Sequence, residues 1–417
     1  MSSSDMLQSP ILIQLEEALK SGAPSAVEAF WKRVKIQGTP LIEPYSCDET
    51  HVLVTFLWRD TNRTGNVVVV RGPAAYDFAN NRMQHIENTD IWYKTYQMRA
   101  DARFGYFLSL NDPLTIPMNL AAVENRGKTF IIDPLNFHPF PADDPRISTV
   151  SLPNAPIQPW HSPRPYTPRG HVNEFTITSE ILQNTRKVWV YTPHSYADNL
   201  PHRLLLLLDG FEYLNEIPTP VILDNLIAEK MIPPMVAVFV GNVDAHTRNH
   251  ELLHNRDFAR FLSTELCAWI HNRYCVSYDP KEIIISGASY GGFAAAYTAL
   301  NYPEVFGNVL CQSGEFGWAP QGEREAEWLA KQFMHKELLP IQFYLEAGLL
   351  ESPGVPMPPQ FLKETPSTLL SNRHMRDVLR AKGYTVHYIE YNGGHDYICW
   401  RGGFVGGLSS LTRSKYR

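Results

Sequence analysis

Ser289 stands in Ile283-Ile284-Ile285-Ser286-Gly287-Ala288-Ser289-Tyr290-Gly291-Gly292, and the small-residue run Phe293-Ala294-Ala295-Ala296-Tyr297 follows. A short β-branched run reads as a buried parallel strand, and the small residues behind it read as a helix. Joining the two demands a sharp turn, with glycines two residues before and two after the serine leaving room for strained backbone. Such a nucleophile elbow lifts the hydroxyl above the sheet and aims the next peptide N–H at a developing oxyanion. The chemistry is nucleophilic acyl transfer. The plainer alternative for the same residues is an ordinary strand-to-helix glycine turn.

A serine nucleophile needs a base, which an α/β-hydrolase supplies late in the chain, in the order serine, acid, histidine. Of 15 histidines, His395 has that position, presented by Asn392-Gly393-Gly394 after the apolar run ending at Tyr391. The acid that orients its imidazole belongs after the preceding strand, Gln342 to Glu346. Glu351, beyond Gly348, is the better placed carboxylate; Glu346 at the strand end is the reserve, and Asp396 is too close in sequence to its own histidine. A water or a backbone carbonyl in place of any of these carboxylates stays open. The oxyanion hole needs two backbone donors. They are assigned to the N–H groups of Phe211, in the turn Asp209-Gly210-Phe211-Glu212-Tyr213, and of Tyr290.

A competing motif is His250-Glu251-Leu252-Leu253-His254. On a helix, H-E-x-x-H places two imidazoles one turn apart for Zn²⁺, with the glutamate as general base. The flanks, Thr247-Arg248-Asn249 and Asn255-Arg256-Asp257, are polar where a zincin helix is apolar. No third histidine follows at the metzincin spacing. The expectation is coincidence and no metal site.

The elements that must position these residues fall into two textures. From about His51 to Pro134, apolar residues come in short alternating runs: Val52 to Trp58, Asn66 to Val70, Trp92 to Met98 and Phe104 to Leu108. Turn residues separate them, which predicts an all-β, immunoglobulin-like sandwich. Two amphipathic helices, Ile11 to Lys20 and Pro24 to Val34, precede it. The Pro-rich stretch Pro139 to Pro168 lacks N–H groups for regular sheet or helix and reads as an ordered linker. Beyond it, candidate strands Phe175–Ile181, Val188–Tyr191, Leu204–Leu208, Val236–Val240, Ile283–Ile285, Val309–Cys311, Gln342–Glu346 and Thr385–Glu390 alternate with helical patterns. Those patterns are Val221–Lys230, Phe258–Asn272, Phe293–Asn301 and Ser371–Lys382. Alternation of this kind calls for a mostly parallel sheet covered on both faces. The expected fold is therefore α/β, with a leading unit over 1–165 and an α/β-hydrolase domain over 166–417.

The 417 residues are 44% hydrophobic with a formal charge of -6, enough for two cores and without the basic footprint of a nucleic-acid binder. Neither a secretory leader nor a membrane span is legible in Met1 to Lys20, so a cytoplasmic protein with no membrane partner is expected. Five cysteines, none in a C-x-x-C pair, read as reduced thiols. Oligomeric state is not legible.

These residues together resemble the enterochelin esterases, serine hydrolases that open the trilactone of catecholate siderophores. In the leading part, Trp58-Arg59-Asp60, Asp90-Ile91-Trp92, Arg103-Phe104-Gly105-Tyr106 and Asp133-Pro134-Leu135-Asn136 look like the family's first domain; Leu152-Pro153-Asn154-Ala155-Pro156 with Pro159-Trp160 look like its linker. In the catalytic part, the resemblance rests on Leu208-Asp209-Gly210, Arg248 with Glu251-Leu252, Gly287-Ala288-Ser289-Tyr290-Gly291-Gly292 and Gln312-Ser313-Gly314. Gly393-Gly394-His395-Asp396 with Cys399-Trp400-Arg401-Gly402-Gly403 is the most specific part. The resemblance implies Ser289 as nucleophile, His395 as base and an acid at or near Glu351. It also implies that the Arg-x-x-Glu-Leu pattern occurs without metal.

The implied substrate is a ferric catecholate siderophore such as enterobactin. Iron would arrive with the substrate and no resident cofactor is expected. A trianionic substrate calls for cations, with Arg401 and Arg248 the first candidates and Arg164 and Arg169 further ones. Two departures from the pattern are Glu315, a carboxylate after Gln312-Ser313-Gly314, and the Pro-rich insert Glu351 to Pro359. Other readings kept open are a hydrolase of another ester or lactone, a zinc peptidase through His250 and His254, and a non-catalytic siderophore-binding protein.

Overall fold

The structure, a computed structural model, describes residues 9–61, 63–74, 80–115, 120–323, 325–352 and 366–412. Most of the Pro-rich insert, from residue 353 on, lies outside the described residues. Two compact units divide the chain. The first is Met1–Pro156 together with Leu349–Lys363 and Asn392–Asp396, and the second is Ile157–Gly348, Glu364–Tyr391 and Tyr397–Arg417.

In the first unit, helices α1 (Pro10–Lys20) and α2 (Ala26–Gln37) precede strands β1 (Leu41–Pro44), β2 (His51–Arg59), β3 (Val67–Arg71), β4 (Gln84–His85), β5 (Ile91–Arg99) and β6 (Arg103–Leu110). Helix α3 (Leu120–Gly127) comes before β7 (Phe130–Ile131), β8 (Pro139–Phe140) and β9 (Ile147–Ser151). The strands form two antiparallel sheets, ordered β1-β2-β5-β4 and β3-β6-β9-β8, with β7 on β6. Their alternation fills one shared core: Val54 and Phe56 of β2 meet Val67 and Val69 of β3 and Phe104 and Tyr106 of β6. The intervening Leu57 faces outward and joins Leu12, Trp31 and Val34 of the leading helices in a second cluster. Residues on opposite faces of β2 thus serve two cores, as a period of two requires. The unit therefore carries two antiparallel sheets with the leading helices α1 and α2 packed on β2.

The Pro-rich stretch is not all linker. β8 and β9 lie inside it, because Ile147 to Ser151 contains no proline and pairs with β6. Pro139 begins β8 at the sheet edge, where its missing N–H removes no ladder bond.

The second unit begins with strands β10 (His171–Ser179), β11 (Asn184–Thr192) and β12 (Arg203–Leu207), then helices α4 (Gly210–Asn215) and α5 (Thr219–Ala228) and strand β13 (Met235–Val240). Helices α6 (Ala245–Leu252), α7 (Arg256–Phe261) and α8 (Cys267–His271) follow, a π-helical turn at Leu262–Leu266 joining the last two. Strand β14 (Ile283–Ala288), helix α9 (Tyr290–Asn301), strand β15 (Asn308–Gln312), helix α10 (Trp328–His335), strand β16 (Gln342–Gly348), helix α11 (Thr368–Lys382), strand β17 (Thr385–Tyr391) and helix α12 (Tyr397–Thr412) complete it.

The eight strands form one sheet, ordered β10-β11-β13-β12-β14-β15-β16-β17. It is parallel from β13 to β17, with β10 and β11 antiparallel at one edge. This is an α/β-hydrolase order, with all eight anticipated strands present. Ile283 and Ile285 enter the core on one face and Ile284 the core on the other, as do Leu204 and Leu206 against Leu205 and Leu207. Burial on both faces explains why these strands read as unbroken apolar runs.

Helix α12 is not legible in the sequence because Gly402, Gly403, Gly406 and Gly407 break its pattern. Two of them are packing requirements. A Cβ on Gly403 would lie 1.8 Å from Glu346 Oε2, and one on Gly407 2.7 Å from Leu310 Cδ1.

Candidate active site

Ser289 follows the last residue of β14 directly and caps α9 with φ 56° and ψ −119°. For a residue carrying a Cβ that backbone is strained, and neighbours must over-determine it. Three hydrogen bonds do so. The Ser289 N–H donates to the Gln312 carbonyl at 2.9 Å, and its own carbonyl accepts from Phe293 and Glu315, each at 3.1 Å. The turn closes only because Gly287 carries no Cβ, which would lie 2.4 Å from the Gly291 carbonyl. Tyr290 is the first helical residue, so its N–H has no carbonyl one turn back and faces out of the helix end.

Opposite this turn, Asp209 holds a left-handed conformation before α4, with φ 53°. Arg248 donates to it twice, Nε to Oδ1 at 2.5 Å and Nη2 to Oδ2 at 2.7 Å, while Asn242 adds a bond of 2.8 Å. The same guanidinium lies 5.7 Å from the Tyr290 ring centroid. A Cβ on Gly291 would come 3.1 Å from Asp209 Oδ2, which sets the ion pair directly against the elbow. Burial works against the Arg248 charge, but the bonds and charge of Asp209 outweigh it and raise its pKa. Phe211, the other candidate oxyanion donor, is the second residue of α4 with its ring half exposed. Beside it, Glu212 gave no signal in the sequence. Burial, helped by the Asp209 charge, pushes its carboxyl up to about 7.

His395 and Glu351 belong to the first unit by their contacts. The segment Asn392–Asp396 leaves β17 and enters α12, and Leu349 onward leaves β16. His395 Nδ1 lies 3.6 Å from Glu351 Oε2, at ion-pair distance, with the carboxylate nearly sealed from solvent and the imidazole a third exposed. The backbone pins both segments. The Leu350 N–H donates to the Gly393 carbonyl at 3.0 Å, and the Arg103 N–H donates to the Asn392 carbonyl at 2.9 Å. Asp396 accepts from the Gly105 N–H at 2.8 Å, which makes it a brace for the loop.

Glu346 lies inside β16, fully buried, accepting from Gln312 Nε2 at 2.5 Å and from the Tyr344 hydroxyl at 2.9 Å.

The H-E-x-x-H segment does not form one continuous helix. His250 lies in α6, but His254 lies beyond its end with φ 53°, so no single helix carries both imidazoles. The His254 ring packs 4.2 Å from Trp328, centroid to centroid. Glu251 is paired with Arg186, at 2.5 and 2.9 Å, both nearly sealed from solvent. No group of three or more metal-ligating side chains occurs among the described residues.

Three of the candidate cations have partners. Arg248 pairs with Asp209, and Arg401 Nε, on α12, donates to Gln158 Oε1 at 2.6 Å. Arg164 pairs with Glu229 and lies 4.4 Å over the Trp160 ring. Burial raises the Asp224 carboxyl, and the Arg169 charge offsets part of that rise. Glu315 is close enough for its charge, after burial, to raise the Tyr290 hydroxyl. No described helix is long and apolar enough to cross a membrane.

Comparison with known proteins gives two family matches. Residues 179–411 match the family described as "Putative esterase", and residues 53–161 match "Enterochelin esterase, N-terminal". An iron(III) enterobactin esterase of Escherichia coli O6:H1 strain CFT073 is 30% identical over 86% of this chain and 90% of its own. One from Dickeya dadantii strain 3937 is 28% identical over 94% of each. The crystal structure of the enterobactin esterase from Shigella flexneri, determined in the presence of enterobactin, superposes with a TM-score of 0.72. It is 27% identical and matches 92% of this chain and 97% of that one.

Proposed function

We propose, from the premise that the chain belongs to the enterochelin esterase family and is a carboxylic ester hydrolase, that it opens the ester bonds of a ferric catecholate siderophore such as enterobactin. The observation that carries the reading is the Ser289 backbone, held at φ 56° between β14 and α9. Its ψ of −119° takes it outside the left-handed helical region that ordinary turn residues use, and strain of that kind is kept where a nucleophile requires it.

In the proposed reaction Ser289 Oγ attacks the ester carbonyl while His395 takes its proton. Because Nδ1 faces Glu351, the nitrogen left for the serine is Nε2, and Glu351 steadies the imidazolium that forms. The N–H groups of Phe211 and Tyr290 hold the oxyanion. Collapse expels the backbone alkoxide, which leaves with the proton from His395. Water then enters by the same route in reverse, freeing the acid and restoring Ser289. Opening the trilactone lowers the effective concentration of the second and third catechols at the iron, so the metal is held less tightly. Iron is cargo in this scheme and no resident cofactor takes part.

Arg401 and Arg248 are the cations proposed to face the catecholate charge. Residues 166–417 would carry the chemistry, with 1–165 as an immunoglobulin-like accessory unit, and the reaction would take place in the cytoplasm. A second reading, an esterase for a less charged ester, is favoured by Glu315, whose carboxylate acts on Tyr290 beside the nucleophile.

Hydrolysis of ferric enterobactin, the metal-free trilactone, a neutral aryl ester and a peptide by the full chain separates these readings. The proposal expects the ferric trilactone to be cut fastest, with Ser289 labelled by a serine-directed phosphonate. Turnover of the aryl ester alone would select the second reading, and an unlabelled Ser289 would defeat both.

A further inference from the structure

A chain of buried polar side chains runs beneath the elbow, and the proposed reaction makes no use of it. Gln312, the last residue of β15, bonds in three directions. Its Oε1 accepts from the Tyr213 hydroxyl at 2.8 Å, and its Nε2 donates to Glu346 Oε1 at 2.5 Å and to the Trp400 carbonyl at 2.7 Å. The carbonyl of the same residue accepts the Ser289 N–H. The next residue continues the chain. Trp400 Nε1 donates to Ser313 Oγ at 2.9 Å, and the same oxygen lies 3.1 Å from the Tyr391 hydroxyl.

Two details separate this arrangement from ordinary core filling. Ser313 is fully buried with φ 48°, a second serine in left-handed backbone at the end of the strand beside β14, and its N–H is held by the Glu346 carbonyl at 2.8 Å. Positive φ occurs at several described non-glycine residues of the chain, and at Ser313 it goes with a fully buried hydroxyl bonded to Trp400 and beside the Tyr391 hydroxyl. Tyr391, in turn, is the last residue of β17, and the segment bearing His395 starts at the next position.

We propose that Ser313 is a positioning residue for the esterase reaction, its Oγ tying Tyr391, where the base segment departs, to the Trp400–Gln312 framework that also holds the Ser289 peptide. A buried carboxylate at Glu346 then has a stated use. It anchors the one amide, Gln312, whose backbone meets the nucleophile and whose side chain meets Trp400. Fully satisfied buried networks fix a single geometry, which is what a proton transfer over hydrogen-bond distance requires.

The inference rests on the proposed roles of Ser289 and His395, and the experiment tells the two apart. Ser313→Ala and Tyr391→Phe, singly and together in the full chain, are compared with wild type for kcat, KM and the rate of phosphonate labelling. Each single variant is expected to lower kcat about 10-fold or more, with KM within about 2-fold and thermal stability nearly kept. The rate of phosphonate labelling at Ser289 should fall in both, because the imidazole is no longer held in register. The double variant should be no slower than the worse single one, since both break the same link.

Tyr391→Phe removes one oxygen from a partly exposed ring, so it keeps the test alive if Ser313→Ala does not fold. A wild type that labels at Ser289 while both singles keep kcat within about 2-fold overturns the positioning role alone. Losses that multiply in the double variant overturn it as well. A wild type that does not label removes the premise, and the inference with it.

Discussion

Glu346 and Glu351 are five residues apart and stand in different surroundings. The first is buried inside β16 against Gln312, and the second lies 3.6 Å from His395 Nδ1 on the segment that leaves that strand. Their isosteric substitutions should therefore fail differently. Glu351→Gln is expected to keep substrate binding and lower kcat at least about 100-fold, because the imidazolium loses its counter-charge. Glu346→Gln should chiefly cost stability, about 1–3 kcal/mol, since an amide cannot accept at both oxygens from Gln312 and Tyr344. Steady-state kinetics beside thermal melts read both. A silent Glu351→Gln with intact folding and crippled kcat in Glu346→Gln would exchange the two roles.

The H-E-x-x-H segment yields a stability prediction in place of a metal one. Arg186 and Glu251 are both nearly sealed from solvent, so removing either partner strands a buried charge and should cost about 3–5 kcal/mol. Replacing both His250 and His254 by Ala should leave ester hydrolysis largely intact, and chelators should have no effect. Stoichiometric zinc in the purified protein, with activity lost on chelation and restored by Zn²⁺, would sink this account.

Glu212 makes stability depend on pH. Its carboxyl holds a proton up to about pH 7 in the folded chain, while the unfolded chain releases it in the ordinary glutamate range. The sign follows: the stabilising share is complete below that range and is lost as pH rises through about 7. Allowing for its partial exposure, the loss is about 1–2 kcal/mol. Glu212→Gln has no proton to release there and should flatten the fall in melting temperature between pH 5 and pH 8. Parallel curves for variant and wild type would show that the carboxyl titrates normally.

Arg401 offers a test of substrate charge. Arg401→Ala should raise KM for ferric trilactone far more than for a small neutral aryl ester, and added salt should weaken only the former. Its bond to Gln158 gives it a structural role as well. Equal losses on both substrates, insensitive to salt, would leave that structural role as its whole contribution.

The sheet was legible in the chain because its central strands are buried on both faces, so Leu204 to Leu208 and Ile283 to Ile285 appear as unbroken apolar runs. The turn at Ser289 was legible for a related reason: sterics forbid side chains at Gly287, and that prohibition is written locally. Two classes of feature were not. Helix α12 hides behind glycines whose absent side chains make room for Glu346 and Leu310, residues of other strands, so its pattern has meaning only once those strands are in place. The Pro-rich stretch misled in the same way, since a proline's cost depends on whether its strand is central or at an edge, a property of the whole sheet.

The pairings were hidden most deeply. The polar flanks of Glu251 already spoke against a metal motif, but its partner, Arg186, lies 65 residues away and is joined to it only by the fold. Asp209 and Arg248, or Ser313 between Trp400 and Tyr391, are likewise joined only by the fold. Sequence by itself determined what each residue could do, through its chemistry, its periodicity and the backbone it permits. Tertiary structure decided which of those capacities meet, because a hydrogen bond or an ion pair depends on distance in space, which sequence separation does not report.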